Sequence, residues 1–308
     1  MEKFTVFGFT LIVMLIISFS GHALIRYEDL HLQRSQEIQI TGFLDYPPFG
    51  AVEHPNEDIR GKFTTLWQPM IDQFKKENNL SIKVITQKMS YPELVQAVRR
   101  GEIDMLLGAY HETALYKGLE FVFPAVIDNP VTIFMLPNRV NEVKEIDDLK
   151  KLNGVRSNKE IYSDFVEGKL KEFKLTTLNS NYELFEQLFT KKADYILIGR
   201  YYGLIEAYKL GLREQISEAK LPLWNMPLFV GISKVSRHRK LIAQKLTRYA
   251  EKAENKKAIE QHLIEMIAQY EKNTQGVVPP TFGLETNSQP QQQEAPVPEN
   301  SADVGNKK

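Results

Sequence analysis

Cysteine is absent from the 308 residues, which rules out disulfide bridges, thiolate-bound metal and a cysteine nucleophile. A chain of this length buries enough surface to fold without covalent staples, so the absence is compatible with export. Net charge is absent as well: 39 basic residues balance 39 acidic ones. The Lys and Arg are spread along the chain rather than gathered in one stretch, so no nucleic-acid partner is expected. Several enzyme signatures are missing too. There is no Gly-rich phosphate loop ending in Lys-Ser/Thr, no strand-to-helix nucleophile elbow and no paired metal motif. His111 has no neighbouring His or carboxylate cluster at metal spacing. The protein is therefore expected not to be an enzyme and to carry neither a metal nor a cofactor.

Long hydrophobic runs are scarce. The exception, Phe4 to Phe19, follows Lys3 and leads to Gly21-His22-Ala23, a small-x-small pattern suited to signal peptidase. This predicts a signal peptide over residues 1–23 and a periplasmic protein; the alternative is an uncleaved N-terminal anchor. With no Cys there is no lipid-modified cysteine, so a cleaved product is soluble. At the other end, Gln289 to Glu299 is rich in Gln, Pro and Glu and has almost no large apolar residue. Such a composition cannot bury enough surface to offset ordering, and residues 273–308 are expected to form a disordered tail.

Between these ends two segments ninety residues apart share one pattern. Ser90, Glu93, Leu94 and Asp104 recur as Ser180, Glu183, Leu184 and Asp194. In each copy Ser and Glu are spaced as a capping box that opens a helix. Apolar positions follow at helical spacing, Tyr91, Leu94, Val95 and Val98 in one copy and Leu184, Phe185, Leu188 and Phe189 in the other. A near-continuous apolar run then reads as a parallel strand covered on both faces, Ile103 to Gly108 and Ala193 to Gly199. Two similar α/β lobes with a cleft between them are implied.

The remaining segments fit that plan. Ile38 to Phe43 alternates as a strand and Asp45-Tyr46-Pro47-Pro48-Phe49 breaks it. Phe63, Leu66, Trp67, Met70, Ile71 and Phe74 share one helix face, with Thr65 as cap, Gln68 as its box partner and Pro69 in the first turn. Ser81 to Thr86 reads as a strand and Ile161 to Phe173 as a helix. Lys240 to Glu271 is amphipathic and closes the globular part. Val131 to Leu136 is the expected crossing into the second lobe, and Pro227 to Ser233 the strand that leads back. The expected division is residues 24–130 for the first part of lobe 1, 131–227 for lobe 2, and 228–272 for the returning segment.

In open α/β sheets ligands bind beyond the carboxyl ends of the strands, so the loops after Phe43, Gly108 and Gly199 are expected to face the cleft. They carry Asp45, Tyr46, Tyr110, His111, Glu112, Tyr116, Arg200, Tyr201 and Tyr202. Arg156-Ser157-Asn158 stands where another strand gives way to a helix, and helix-start amides with an Arg suit an anion.

In outline, residues 37–270 resemble the family 3 periplasmic solute-binding proteins, the amino-acid-type receptors of ABC importers with the type II periplasmic-binding fold. The resemblance is carried by Asp45-Tyr-Pro-Pro-Phe49, by Leu94 to Asp104 with Arg100-Gly-Glu-Ile-Asp, by the Thr113 loop leading to Phe121-Val-Phe-Pro124, and by Pro227 to Lys234. It implies a two-lobed fold with a hinge and central cleft, a small-molecule solute and an ABC permease partner. The protein is expected to be a monomer.

The resemblance also implies that Tyr46 stacks on the ligand and that Gly108, Ala109, His111 and Thr113 offer backbone and hydroxyl groups. The family's carboxylate-clamping Arg falls on Tyr116, and its ammonium-holding acid falls on Gly199, so both halves of the usual amino-acid clamp are altered. Arg156 and Arg200 are candidates to replace the lost Arg. Two readings follow: a solute receptor for an importer, taking an amino-acid-like or organic-anion ligand, and a degenerate non-transport binding or sensory module that reaches a partner through its tail.

Overall fold

The computed structural model describes residues 37–52, 63–86, 89–111, 113–221 and 223–282. The expected signal peptide, Glu112 and the tail beyond residue 282 lie outside the described residues. The first lobe begins with β1 (Glu37–Thr41). It continues through a small sheet of β2 (Asp45–Tyr46), β3 (Gly50–Val52) and β4 (Phe63–Thr64), then α1 (Gln68–Asn78), β5 (Ser81–Val84), α2 (Tyr91–Arg100), β6 (Met105–Ala109) and β7 (Leu119–Phe121). β8 (Ile127–Met135) crosses to the second lobe. There follow β9 (Asn153–Ser157), α3 (Asp164–Leu170), β10 (Lys174–Leu178), α4 (Asn181–Phe189), β11 (Tyr195–Gly199), α5 (Arg200–Lys209) and β12 (Ser217–Glu218). β13 (Trp224–Ser233) leads back, and α6 (Arg239–Ala250) and α7 (Ala253–Asn273) follow.

The strand order is β10-β9-β11-β8-β13-β6-β1-β5. β1 lies in parallel between β5 and β6, and β9 in parallel between β10 and β11. β6 and β11 are buried at every position, as strands covered on both faces must be. The two lobes meet where Ile127–Val131 of β8 pairs antiparallel with Trp224–Leu228 of β13. Beyond that segment β8 pairs with β11 and β13 pairs with β6, so each crossing strand ends in a different lobe. α7 packs on both α1 and α5, bracing the lobes on one side.

The repeated pattern has one structural job in both lobes. Asp104 precedes β6 and accepts a hydrogen bond from the Gln39 amide of β1 at 2.8 Å, while its own amide donates to the Gln39 carbonyl at 2.9 Å. Asp194 precedes β11 and repeats the exchange with Asn153 of β9, at 2.7 Å in each direction. Each carboxylate thereby fixes the register between a lobe's central strand and its neighbour.

Helix boundaries differ from the sequence expectation where local chemistry decides them. The helix expected from Phe63 starts at Gln68, with Trp67 as its N-cap residue and Pro69 in the first turn, where a missing amide costs no intrahelical bond. Phe63 and Thr64 pair with β3 instead, and Thr65 Oγ1 donates to the Phe49 carbonyl at 2.6 Å. The helix expected over 161–173 is confined to α3, because Ser163 caps it by accepting from the Val166 amide at 3.3 Å. Ser90 and Glu93 form the expected capping box. Ser180 holds the N-cap position of α4 without a side-chain cap, and that helix is held by burial of Leu184, Phe185 and Leu188. The chain also stays packed past Asn273, with Phe282 against Tyr182 and Phe189 at ring distances of 5.3 and 5.2 Å. The expected tail therefore does not begin at residue 273.

Candidate functional site

The loops after β1, β6, β9 and β11 meet between the lobes, and a tyrosine lies at their centre. Tyr46, carried by the Asp45–Phe49 loop, is buried. Its hydroxyl donates to Glu160 of the second lobe, 3.0 Å from one carboxylate oxygen and 3.1 Å from the other. Its ring stacks on Tyr202 of α5 at 4.1 Å and on Phe49 at 5.9 Å. Offset ring pairs of this kind add about 1 kcal/mol beyond burial.

Gly199 makes this arrangement possible. A Cβ at that position would lie 2.4 Å from the Tyr46 hydroxyl and 2.9 Å from the Asn129 side chain. The absence of a side chain there gives Tyr46 its seat, and the Gly199 amide donates to Glu160 at 3.2 Å. A carboxylate thus does occupy this corner of the cleft, supplied from residue 160 rather than 199.

Burial pushes the Glu160 carboxyl up to about 7, against the Gly199 amide, the Tyr46 and Tyr162 hydroxyls and the Arg156 charge, all of which favour the ionised form. The Tyr46 hydroxyl is held well above its ordinary range by burial and then by the Glu160 charge. Asn129, on the crossing strand β8, donates to the Tyr110 hydroxyl at 3.0 Å. Its own Oδ1 is buried with no hydrogen-bond partner among the described residues. The site thus offers two acceptors, the Glu160 carboxylate and Asn129 Oδ1, inside a wall of tyrosines.

The other sequence candidates fall into three groups. Asp45 forms an ion pair with Lys159 across the lobes, Thr113 Oγ1 donates to the Tyr162 carbonyl at 3.4 Å, and Tyr201 approaches Phe49 at 6.3 Å, so all three line the lobe junction. Gly108 and Ala109 close β6; Gly108 takes a positive φ of 81° with Phe43 against its Cα. Tyr110 is buried beside Asn129, and His111 packs edge-on against Phe121 and Phe123. The remaining five point elsewhere. Tyr116 is wholly buried in lobe 1 with its hydroxyl 3.2 Å from that of Tyr91. Ser157 accepts from the Lys159 amide, and Asn158 bonds Asn179 at the β10 end.

The two arginines are engaged. Arg156 forms a two-pronged pair with Glu167 at 2.9 and 2.8 Å, donates to the Glu160 carbonyl at 3.1 Å and lies over the Tyr162 ring. Arg200 pairs with Glu218 at 3.0 Å and is 44% exposed.

Glu160, Asn129 and Tyr162 complete the site, and the sequence candidates did not include them. Glu160 lies two residues past Arg156-Ser157-Asn158, as the one acid before the apolar Ile161-Tyr162. Asn129 precedes Pro130 at the head of an apolar run, where a buried amide is the exception. Among the described residues no group of His, Asp and Glu is placed to hold a metal ion, and no helix is long and apolar enough to cross a membrane.

No protein-family model matches the sequence, and no curated protein matches it. Solved structures do. An amino acid ABC transporter substrate-binding protein from Streptococcus pneumoniae Canada MDR_19A bound to L-arginine aligns with TM-score 0.59 and 15% identity, over 77% of this chain and 96% of that one. A putative binding component of an ABC transporter from Wolinella succinogenes DSM 1740 complexed with lysine gives 0.61 and 14%, over 75% and 96%. The GluR0 ligand-binding core complexed with L-glutamate gives 0.58 and 13%, over 75% and 97%. The fold is that of the two-lobed amino-acid-binding proteins.

Proposed function

We propose that this protein is a periplasmic receptor that closes its lobes on a small, amine-bearing, amino-acid-like solute and presents it to an ABC importer. In this reading it acts as a monomer, without cofactor or catalysis. The observation that carries the reading is the buried Glu160 carboxylate, which lies beside the Gly199 amide and is met from the other lobe by Tyr46. A solute ammonium in place of the Tyr46 hydroxyl makes a charge-assisted bond to Glu160 and a second to Asn129 Oδ1, while Tyr46 and Tyr202 flank it. Contacts made by both lobes favour the closed arrangement, which an importer then reads.

Two further observations support the amine. Arg156 and Arg200, the cations that an organic-anion ligand would need, already hold Glu167 and Glu218. Structures of the same fold hold arginine and lysine.

The test is a thermal-shift screen of the purified protein against basic and neutral amino acids, simple amines and organic acids. A solute at about a hundred times its dissociation constant adds roughly 2.7 kcal/mol of stability. Raised melting temperatures confined to amines are expected; a response confined to organic acids refutes the assignment.

One observation favours a second reading. Tyr46 satisfies Glu160 from within the chain, so the lobes close without any solute contact. A binding or sensory module without transport, reaching a partner through its tail, fits that closure, and silence across the whole panel selects it.

A further inference from the structure

Beside the tyrosine-lined centre, a pocket of about 460 Å³ opens at the lobe junction. Its walls come from three places: Tyr110, His111 and Phe123 of the first lobe, Phe165 of α3 in the second, and Trp224 and Phe229 of the crossing strand β13. Among the described residues that line it, none is Asp, Glu, Lys or Arg. The polar exceptions, Ser163, Asn225, His111 and Tyr110, carry no carboxylate or fixed cation. His111, Phe123 and Phe229 form one ring cluster, with centroids 5.2 Å apart for His111–Phe123 and 5.0 Å for Phe123–Phe229.

Phe123 and Phe165 sit on opposite lobes and remain 49% and 62% exposed, although each lies against this pocket. Isolated exposed aromatics need no explanation, but two that converge on one cavity do. A pocket of this size falls within the roughly 300–1,000 Å³ typical of small-molecule sites.

We infer that this groove binds a small, uncharged aromatic group, held between Phe123 and Phe165 and against Trp224. Edge-on and offset ring packing supplies the recognition, and the described walls hold no carboxylate or fixed cation to pair with an ionised headgroup. Because both lobes line the groove, its occupant favours the closed arrangement. The inference rests on the reading above in one respect: Tyr110 borders both the groove and the Asn129 corner, so one solute with an amine at Glu160 and a ring in the groove fits both. The groove itself is testable alone.

The experiment titrates N-phenyl-1-naphthylamine, an uncharged aromatic dye that brightens in apolar surroundings, into the purified protein. Saturable brightening is expected for the wild type and for Glu160→Gln, with displacement by benzyl alcohol and not by benzoate. Phe165→Ser removes a largely exposed ring and leaves the core untouched; it is expected to weaken dye binding by roughly tenfold, as is Phe123→Ser. No saturable signal in the wild type, or wild-type affinity in both serine variants, overturns the inference. Dye binding in the groove with no response to any amine keeps the groove and rejects the Glu160 reading. An amine response with no dye binding does the reverse.

Discussion

Tyr46 and Glu160 join the two lobes: the tyrosine hydroxyl donates to both carboxylate oxygens, at 3.0 and 3.1 Å, from the opposite wall of the cleft. The pair accounts for glycine at position 199, where a Cβ would meet the Tyr46 hydroxyl. Its buried carboxyl also ties the stability of the fold to pH.

The Glu160 carboxyl rises from the ordinary 4.5 to about 7 on folding, chiefly through burial. A group whose pKa is raised in the folded state holds its proton better there than in the unfolded chain. Its stabilising contribution is therefore complete below about pH 4.5 and is lost as pH rises through about 7. The shift corresponds to about 3 kcal/mol at most. Glu160→Gln is expected to flatten this part of the stability profile, melting above the wild type at pH 8 and converging with it near pH 5. Urea denaturation across that range measures it; parallel profiles for the two proteins would mean that Glu160 does not set the slope.

Gly199→Ala places a methyl group 2.4 Å from the Tyr46 hydroxyl. Overpacking of this kind costs about 1–3 kcal/mol. In the Tyr46→Ala background Gly199→Ala is expected to cost less, because the nearest clash is with that side chain, while the 2.9 Å approach to Asn129 remains. A double-mutant cycle reads the coupling, and additive losses would place the strain elsewhere.

Asp104 and Asp194 hold equivalent strand amides, so their replacement by Asn is expected to act alike. Each substitution weakens a charge-assisted bond worth about 1.5–3 kcal/mol. Asp104 also accepts from the Ser236 hydroxyl and Asp194 also holds the Arg139 guanidinium; the charged partner makes Asp194→Asn the costlier of the two. Amide hydrogen exchange at Asn153 and Gln39 localises the effect to each lobe; a global loss of protection from either variant would show that the lobes unfold as one unit.

Much of the scaffold was legible in the sequence because it depends on periodicity. The paired helix-strand units around Ser90 and Ser180, and the apolar runs of β6 and β11, announce buried parallel strands through composition alone. The turn that carries Tyr46 to the lobe junction was legible too, since a strand that ends in Asp-Tyr-Pro-Pro must turn at its carboxyl end. Glu160 and Asn129 were not, because nothing local distinguishes a buried acid from a solvated one. Their burial comes from the opposite lobe and from the crossing strand, more than one hundred residues away in the case of Tyr46 and Glu160. The arginines show the same limit: Arg200 opens α5 as expected, but Arg156 lies within β9, with no helix before Asp164, and Glu218 and Glu167 pair with them from elsewhere in the chain.

The central claim is that a solute amine competes with Tyr46 for Glu160. Calorimetric titration of L-arginine and L-lysine into the wild type, Tyr46→Ala and Glu160→Gln tests it most directly. The account predicts tighter binding to Tyr46→Ala than to the wild type and loss of binding in Glu160→Gln. Equal affinity in Glu160→Gln and the wild type, or no heat from any of the three proteins, would contradict it.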